Sequence, residues 1–197
     1  MIIKFYTTYK DYQRVYFLEE EVKGLEFHEV LNEMQILDDK KAMLYTACII
    51  LMLQHLHERG IVYRDLKPEN IIIDEFGYPK LIDFGSSKFL EDRTYSVVGT
   101  PHYMAPEIFT MAGHSYSVDL WALGIVLYEF ICGEVPFGAD LENTEEVYKA
   151  VIQHKVVFPR HASRSAAKPL IGQLLSNNPA LRSGGGFEKL KMNKYFQ

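Results

Sequence analysis

The sequence predicts an α+β protein, mainly helical, with a β-hairpin at its N-terminus. Three observations carry this: strand-like alternation at the start, helical spacing over most of the rest, and a Pro- and Gly-punctuated segment between them. Ile3, Phe5, Thr7 and Tyr9 share one side of a first strand; Lys10 to Gln13 makes a polar turn, and Val15 to Glu20 reads as the returning strand. A hairpin alone is marginal in water, so these strands are expected to belong to a larger sheet. After Gly24 the pattern turns helical, from Leu25 to Gln35. A long helix then opens at Asp38 and Asp39 and stops at Gly60, the residue type that tolerates a left-handed terminus. Ile61 to Lys88 is cut by Pro68, Gly77, Pro79 and Gly85, as in short strands and functional loops. Beyond Glu107 come helical patterns over Ser117 to Cys132, Asn143 to Gln153 and Ala166 to Ser176, then the Gly184-Gly185-Gly186 loop and a last short helix.

The 197 residues are 48% hydrophobic and 24% charged, which removes disordered and low-complexity classes. A net charge of -5 argues against a nucleic-acid surface and favours basic partners. The longest uncharged stretch in the first long helix, Ala42 to Leu53, is twelve residues, short of the roughly 20 that cross a bilayer. Two cysteines in apolar helical patterns, and a start without signal-peptide character, make a cytoplasmic location the expectation. The seven histidines and two cysteines show no metal-ligand spacing, and the triple glycine lacks the strand and Lys-Ser/Thr of a phosphate loop.

The most informative segment is Tyr63-Arg64-Asp65-Leu66-Lys67-Pro68-Glu69-Asn70. Asp83-Phe84-Gly85 begins thirteen positions after Asn70, and Ala105-Pro106-Glu107 follows. In this order and spacing the chain resembles the catalytic domain of eukaryotic protein kinases from about Phe5 to Tyr195. Phosphoryl transfer needs an aligned hydroxyl, a carboxylate to orient it, and cations to hold charge on the phosphate oxygens. The resemblance implies that Asp65 is that carboxylate and that Asn70 and Asp83 hold Mg2+. Lys67 would sit beside the transferred group, and Thr100 would bond Asp65 and Lys67. Lysine two positions after the aspartate is the serine/threonine-kinase pattern.

Tyr63, Gly99 to Glu107, and Ser117 to Gly124 resemble the AGC group, closest to cyclic-nucleotide-dependent and more the cGMP-dependent type. This implies that Asp119 accepts from the loop backbone at Tyr63 and Arg64, that Glu107 and Arg182 form a buried ion pair, and that Phe5, Tyr63 and Phe84 stack. For ATP, the hinge Glu20-Glu21-Val22 would bond adenine through its main chain, Ile72 would floor the base, and Glu26 would reach the ribose. Glu19 is a departure, a carboxylate at the back-pocket position; it would pair with a cation or disfavour the purine. Glu26, Glu69 and Glu129 match positions that read basic residues upstream of the acceptor, and His102 replaces a further glutamate. Ser96 would be the activation-loop phosphosite, read by Arg64 with Lys88, with Thr94 as the competing site.

Residues 1–22 are expected to be a remnant of the small lobe with the hinge, and residues 23–197 the large lobe. The glycine-rich loop, strand lysine and helix glutamate of a complete kinase are not in this sequence and would lie before Met1. Two readings of function stand: ATP-dependent phosphorylation of Ser or Thr in basic protein substrates by a longer chain, or a truncated scaffold lobe without catalysis.

Overall fold

The computed structural model describes residues 1–197. Strands β1 (Phe5–Lys10) and β2 (Val15–Glu19) form an antiparallel hairpin, with Lys10 opposite Val15 and a register shift between Phe5 and Thr7. The Asp11 carboxylate holds the turn by accepting from the amides of Gln13 and Arg14, both at 2.7 Å. Ile3 leaves the hairpin: Met1 and Ile3 bond Leu81 at 2.8 and 2.9 Å, so the chain start runs alongside the segment around Leu81.

The helix expected from Leu25 begins later. Gly24–Glu26 is strand β3, pairing with Ile72 to Asp74, and Glu26 caps helix α1 (Phe27–Met34). Ladder bonds to the following hairpin outweigh helical spacing there. Gly24 permits the approach: a Cβ would lie 2.1 Å from the Ile73 carbonyl oxygen.

Helix α2 (Asp39–His57) starts where the Asp38 carboxylate accepts from the Lys41 amide at 2.9 Å, and the chain leaves it through Gly60 at φ 75°. Two-stranded pieces follow. β4 (Ile61–Val62) pairs with β7 (Lys88–Phe89), while β5 (Ile71–Asp74) and β6 (Pro79–Leu81) complete the three-stranded sheet β3-β5-β6. Helix α3 (Pro106–Phe109) precedes α4 (Ser117–Cys132), α5 (Thr144–Gln153), α6 (Lys168–Leu174) and α7 (Phe187–Lys191). The pattern from Ala166 to Ser176 shrinks to α6 because Pro169 sits in its first turn and Ala167 remains outside.

Helix α4 is apolar nearly all round, and a helix of that kind can only be a core helix. Trp121, Leu123, Ile125 and Val126 are fully buried, and α6 comes so close that a Cβ at Gly124 would lie 2.9 Å from the Cβ of Leu174. No helix is long and apolar enough to cross a membrane.

Candidate active site

The site is built upward from α4. Asp119, fully buried, directs one carboxylate oxygen at the Arg64 amide (2.7 Å) and the other at the Tyr63 amide (2.9 Å) and His57 Nε2 (2.7 Å). These bonds hold Arg64 at φ 72°, a left-handed conformation costly for a residue with a Cβ. The Tyr63 hydroxyl is anchored on the Ile82 carbonyl, and its ring meets Phe84 edge-on at 5.4 Å. Phe5 borders the same cleft but stays half-exposed, so the stack expected of Phe5, Tyr63 and Phe84 is formed by the latter two.

The loop so fixed presents Asp65. Thr100 donates to its Oδ1 at 3.0 Å, Lys67 Nζ lies 3.4 Å from Oδ2 and donates to Thr100 at 2.7 Å, and Asn70 Nδ2 donates to Oδ2 at 3.0 Å. Asn70 also donates to the Asp65 carbonyl at 2.8 Å, which commits its NH2 and leaves Oδ1 without a protein donor. Asp83, at φ 55°, takes the Gly85 amide on Oδ1 at 2.9 Å, and its other oxygen has no protein partner. One amide oxygen and one carboxylate oxygen, both hard and both spare, suit Mg2+ shared with phosphates.

Beside Asp83 opens a cleft of about 940 Å³, lined by Ile72, Ile82 and Phe84 below and by Phe5, Phe17, Glu19, Glu20 and Val22 toward the hairpin. The Glu20 amide bonds Lys4 and its side chain pairs with Lys80 at 2.9 Å, which holds the carboxyl below its ordinary range. The Glu20 carbonyl and Val22 amide have no protein partner. Glu19 makes no hydrogen bond or ion pair through its side chain.

A second acidic patch lies on the other side of the loop. Glu129 accepts from the Tyr103 hydroxyl at 2.8 Å; burial pushes its carboxyl up to about 7, Tyr103 opposes the rise, and the charge of Glu69 adds to it. One Glu69 oxygen is buried with no donor at all. Glu26 caps α1, in the strand that packs against the Pro68–Asn70 turn carrying Glu69.

Below the site Arg182, fully buried, forks Glu107 (Nη2 to Oε2, 2.8 Å), donates to the carbonyls of Ser117 and Ser176, and lies 5.0 Å from the Trp121 ring. His102 bonds the carbonyls of Gly138 and Leu141, both at 3.0 Å, tying the segment after Thr100 to the connection between α4 and α5. Ser96 is exposed, whereas Thr94 is 1% exposed. Lys88 donates to the Thr94 hydroxyl at 3.1 Å, so it is engaged rather than waiting. Sequence reasoning missed His57 on Asp119 and Tyr103 on Glu129; partners 62 and 26 residues away leave no local signal.

The family model of the protein kinase domain matches residues 1–196, and the chain belongs to the protein kinase family. Among individual relatives it is 44% identical to a cGMP-dependent protein kinase of Plasmodium berghei, with 99% of this chain and 23% of that protein covered. It is 42% identical to the cGMP-dependent protein kinase of Toxoplasma gondii, over 99% of this chain and 20% of that protein. A cAMP-dependent protein kinase, catalytic subunit-like, of Caenorhabditis elegans is 41% identical over the whole chain and 49% of its own length. The resemblance to cyclic-nucleotide-dependent kinases therefore holds, and the chain spans about a fifth to a half of these relatives.

Proposed function

We propose that this lobe carries the phosphoryl-transfer site of a serine/threonine kinase that takes ATP with Mg2+ and prefers acceptors preceded by basic residues. The observation that carries the reading is the Asp65 carboxylate, aligned by Thr100, Lys67 and Asn70. Asp65 would orient the acceptor hydroxyl and take its proton, with Lys67 Nζ 3.4 Å from Oδ2 positioned to offset charge on the moving group. Asn70 Oδ1 and Asp83 would hold Mg2+, which neutralises charge on the phosphates when bound. The free Glu20 carbonyl and Val22 amide suit adenine, over Ile72 and with Glu26 within the ribose region. The intact carboxylate and amide set favours this over a scaffold without chemistry.

Glu69 and Glu129 support the substrate preference. Two acids near each other, one oxygen unsatisfied and one carboxyl raised, form an anionic site without its cation, and an arginine guanidinium would relieve both. Ser96 would be the modified residue of the activation loop, since Thr94 is buried. Arginine recognition should weaken as pH falls through about 7, where Glu129 loses its charge. A positional peptide library on the native polypeptide, run at pH 6 and pH 8, checks this. Arg two residues upstream should be selected at pH 8, selected less at pH 6, and lose its advantage in Glu129→Ala. Equal selection by the variant would overturn the assignment.

A further inference from the structure

The net charge of -5 joins two unlike poles. Residues 154–197 carry eight Lys and Arg against the single acid Glu188, while residues 1–153 carry thirteen against twenty-five acids. Acids crowd the site: Glu19 and Glu20 line the cleft, and Glu69 and Glu129 act on each other beside the loop of Asp65. The cations collect elsewhere. Among the eight, Arg182 is buried on Glu107 and Lys191 pairs with Glu188 at 2.6 Å. Lys155, Arg160, Arg164, Lys168, Lys189 and Lys194 enter no ion pair.

Three of these unpaired cations share one turn between α5 and α6. The amides of Ala162, Ser163 and Ser165 donate to the carbonyls of Pro159, Arg160 and Ala162 at 3.1, 3.3 and 3.1 Å, a tight coil that leaves Arg160, His161 and Arg164 exposed together. Ala162 and Ala167, 3% and 0% exposed, pin the coil to the core. Lys168 Nζ joins it by donating to the Ser163 carbonyl at 3.2 Å. Like charges gathered in this way repel one another and gain from a shared counter-charge. Lys194 approaches the same place. Ser165 Oγ donates to Asp39 Oδ1 at 2.7 Å, and the charge of Asp39 adds to the burial that raises the Tyr195 hydroxyl, so Arg164 and Lys194 flank one acid at the first turn of α2. That turn is balanced, Lys40 and Lys41 against Asp38 and Asp39, and Glu134 lies close enough to act with Lys168 on the Cys132 thiol. The cluster is far from the chemistry. From Asp39 to His57, which bonds Asp119 beneath the loop of Asp65, α2 rises eighteen residues, roughly 27 Å at ~1.5 Å per residue.

We propose that this turn, with Lys194 beside it, docks the protein on a membrane surface that bears anionic lipid headgroups. Such docking needs no spanning helix, and the acidic pole, repelled by the same headgroups, is turned with its cleft toward solution. Two observations favour lipid over an acidic polypeptide. Val157 and Met192, 59% and 66% exposed, interleave with the cations, and apolar side chains among cations suit the boundary between headgroups and acyl chains. The cations stand on a projecting turn, and none of them lines a major cleft, whereas an extended acidic segment needs a groove.

Vesicle sedimentation of the native polypeptide tests this, with phosphatidylcholine alone and with phosphatidylserine mixed in. Separate arms measure binding to polyglutamate, and release from the mixed vesicles by inorganic phosphate at matched ionic strength. Protein should sediment with the mixed vesicles only, less of it as salt shortens the reach of surface charge, and inorganic phosphate should not release it. Each Lys or Arg near such a surface raises partitioning about fivefold, so Arg160→Gln with Arg164→Gln should lower it at least tenfold. Both side chains are exposed and unpaired, so the fold should survive their loss, which thermal unfolding checks. Lys10→Gln with Arg14→Gln takes the same charge from the hairpin turn and should bind as wild type does. Equal losses in the two double variants would mean that total charge and not this turn binds, which overturns the proposal. So does wild-type protein that stays in solution with mixed vesicles at low salt yet binds polyglutamate, the outcome for an acidic polypeptide. Release by inorganic phosphate, the outcome for a free-phosphate site, overturns it as well.

Discussion

Charge placed inside this molecule is either fully committed or conspicuously spare, and the two kinds of residue respond differently to substitution. Arg182 is committed. Replacing it with Leu leaves Glu107 facing the core without its fork, and breaking a buried pair from one side costs about 3–5 kcal/mol. Urea unfolding should show a loss of unfolding free energy of that size, and a loss under about 1 kcal/mol would mean the pair is not buried in solution. Glu129 is spare. With its folded pKa near 7 against 4.5 unfolded, the folded state keeps a proton that the unfolded chain has lost, so stability falls as pH rises from 4.5 through 7. Glu129→Gln removes that slope. Between pH 5 and pH 8 the stability difference should move in the variant's favour by up to about 3 kcal/mol, measured by denaturant midpoints at both pH values. That Thr100 would bond Asp65 and Lys67 was legible because all three stand at motif positions. His57 and Tyr103 were not, because each acts on a group brought near only by the fold.

Two glycines inside helices make opposite predictions for the elements that hold them. In α4, a Cβ on Gly124 would sit 2.8 Å from Leu175 and 2.9 Å from the Cβ of Leu174, so α4 and α6 would have to part. Gly124→Ala should destabilise despite the better helix former, since overpacking costs about 1–3 kcal/mol against about 1 kcal/mol of propensity. In α6, nothing lies within 4 Å of a Cβ on Gly172, and Gly172→Ala should stabilise by up to about 1 kcal/mol. Thermal unfolding of the two variants, compared with wild type, should move in opposite directions; a common direction would mean that packing between these helices is looser than described. The elements themselves were readable to different degrees. Ser117 to Cys132 matched α4 at both ends, because a long, mostly apolar stretch closed by Gly133 has one solution. Leu25 and Glu26 did not, because their strand character comes from Ile72 and Ile73, nearly fifty positions later in the sequence.

Taken whole, the molecule has a firm helical body and a weak margin. All five residues of β2 are exposed, Phe17 and Leu18 among them, and β1 and β2 pair only with each other. The 197 residues also contain no glycine-rich loop and no strand lysine, the groups that hold phosphates in this family. Since positioning and charge stabilisation supply nearly all the catalysis in phosphoryl transfer, this polypeptide tested alone should turn over peptide at least about 100-fold slower than intact kinases, with the hairpin exchanging its amides first. Steady-state assay and hydrogen exchange check the two halves, and typical kinase turnover by the isolated chain would refute the first. The buried Asp119 has a larger implication. Because the loop that carries Asp65 hangs from a core helix, its position is referenced to the interior and not to the cleft beside Asp83. Errors should therefore propagate along two separate lines: substitutions lining the cleft alter how tightly ligand is held while the base stays aimed, and substitutions beneath α4 spoil the aim while the cleft keeps its affinity.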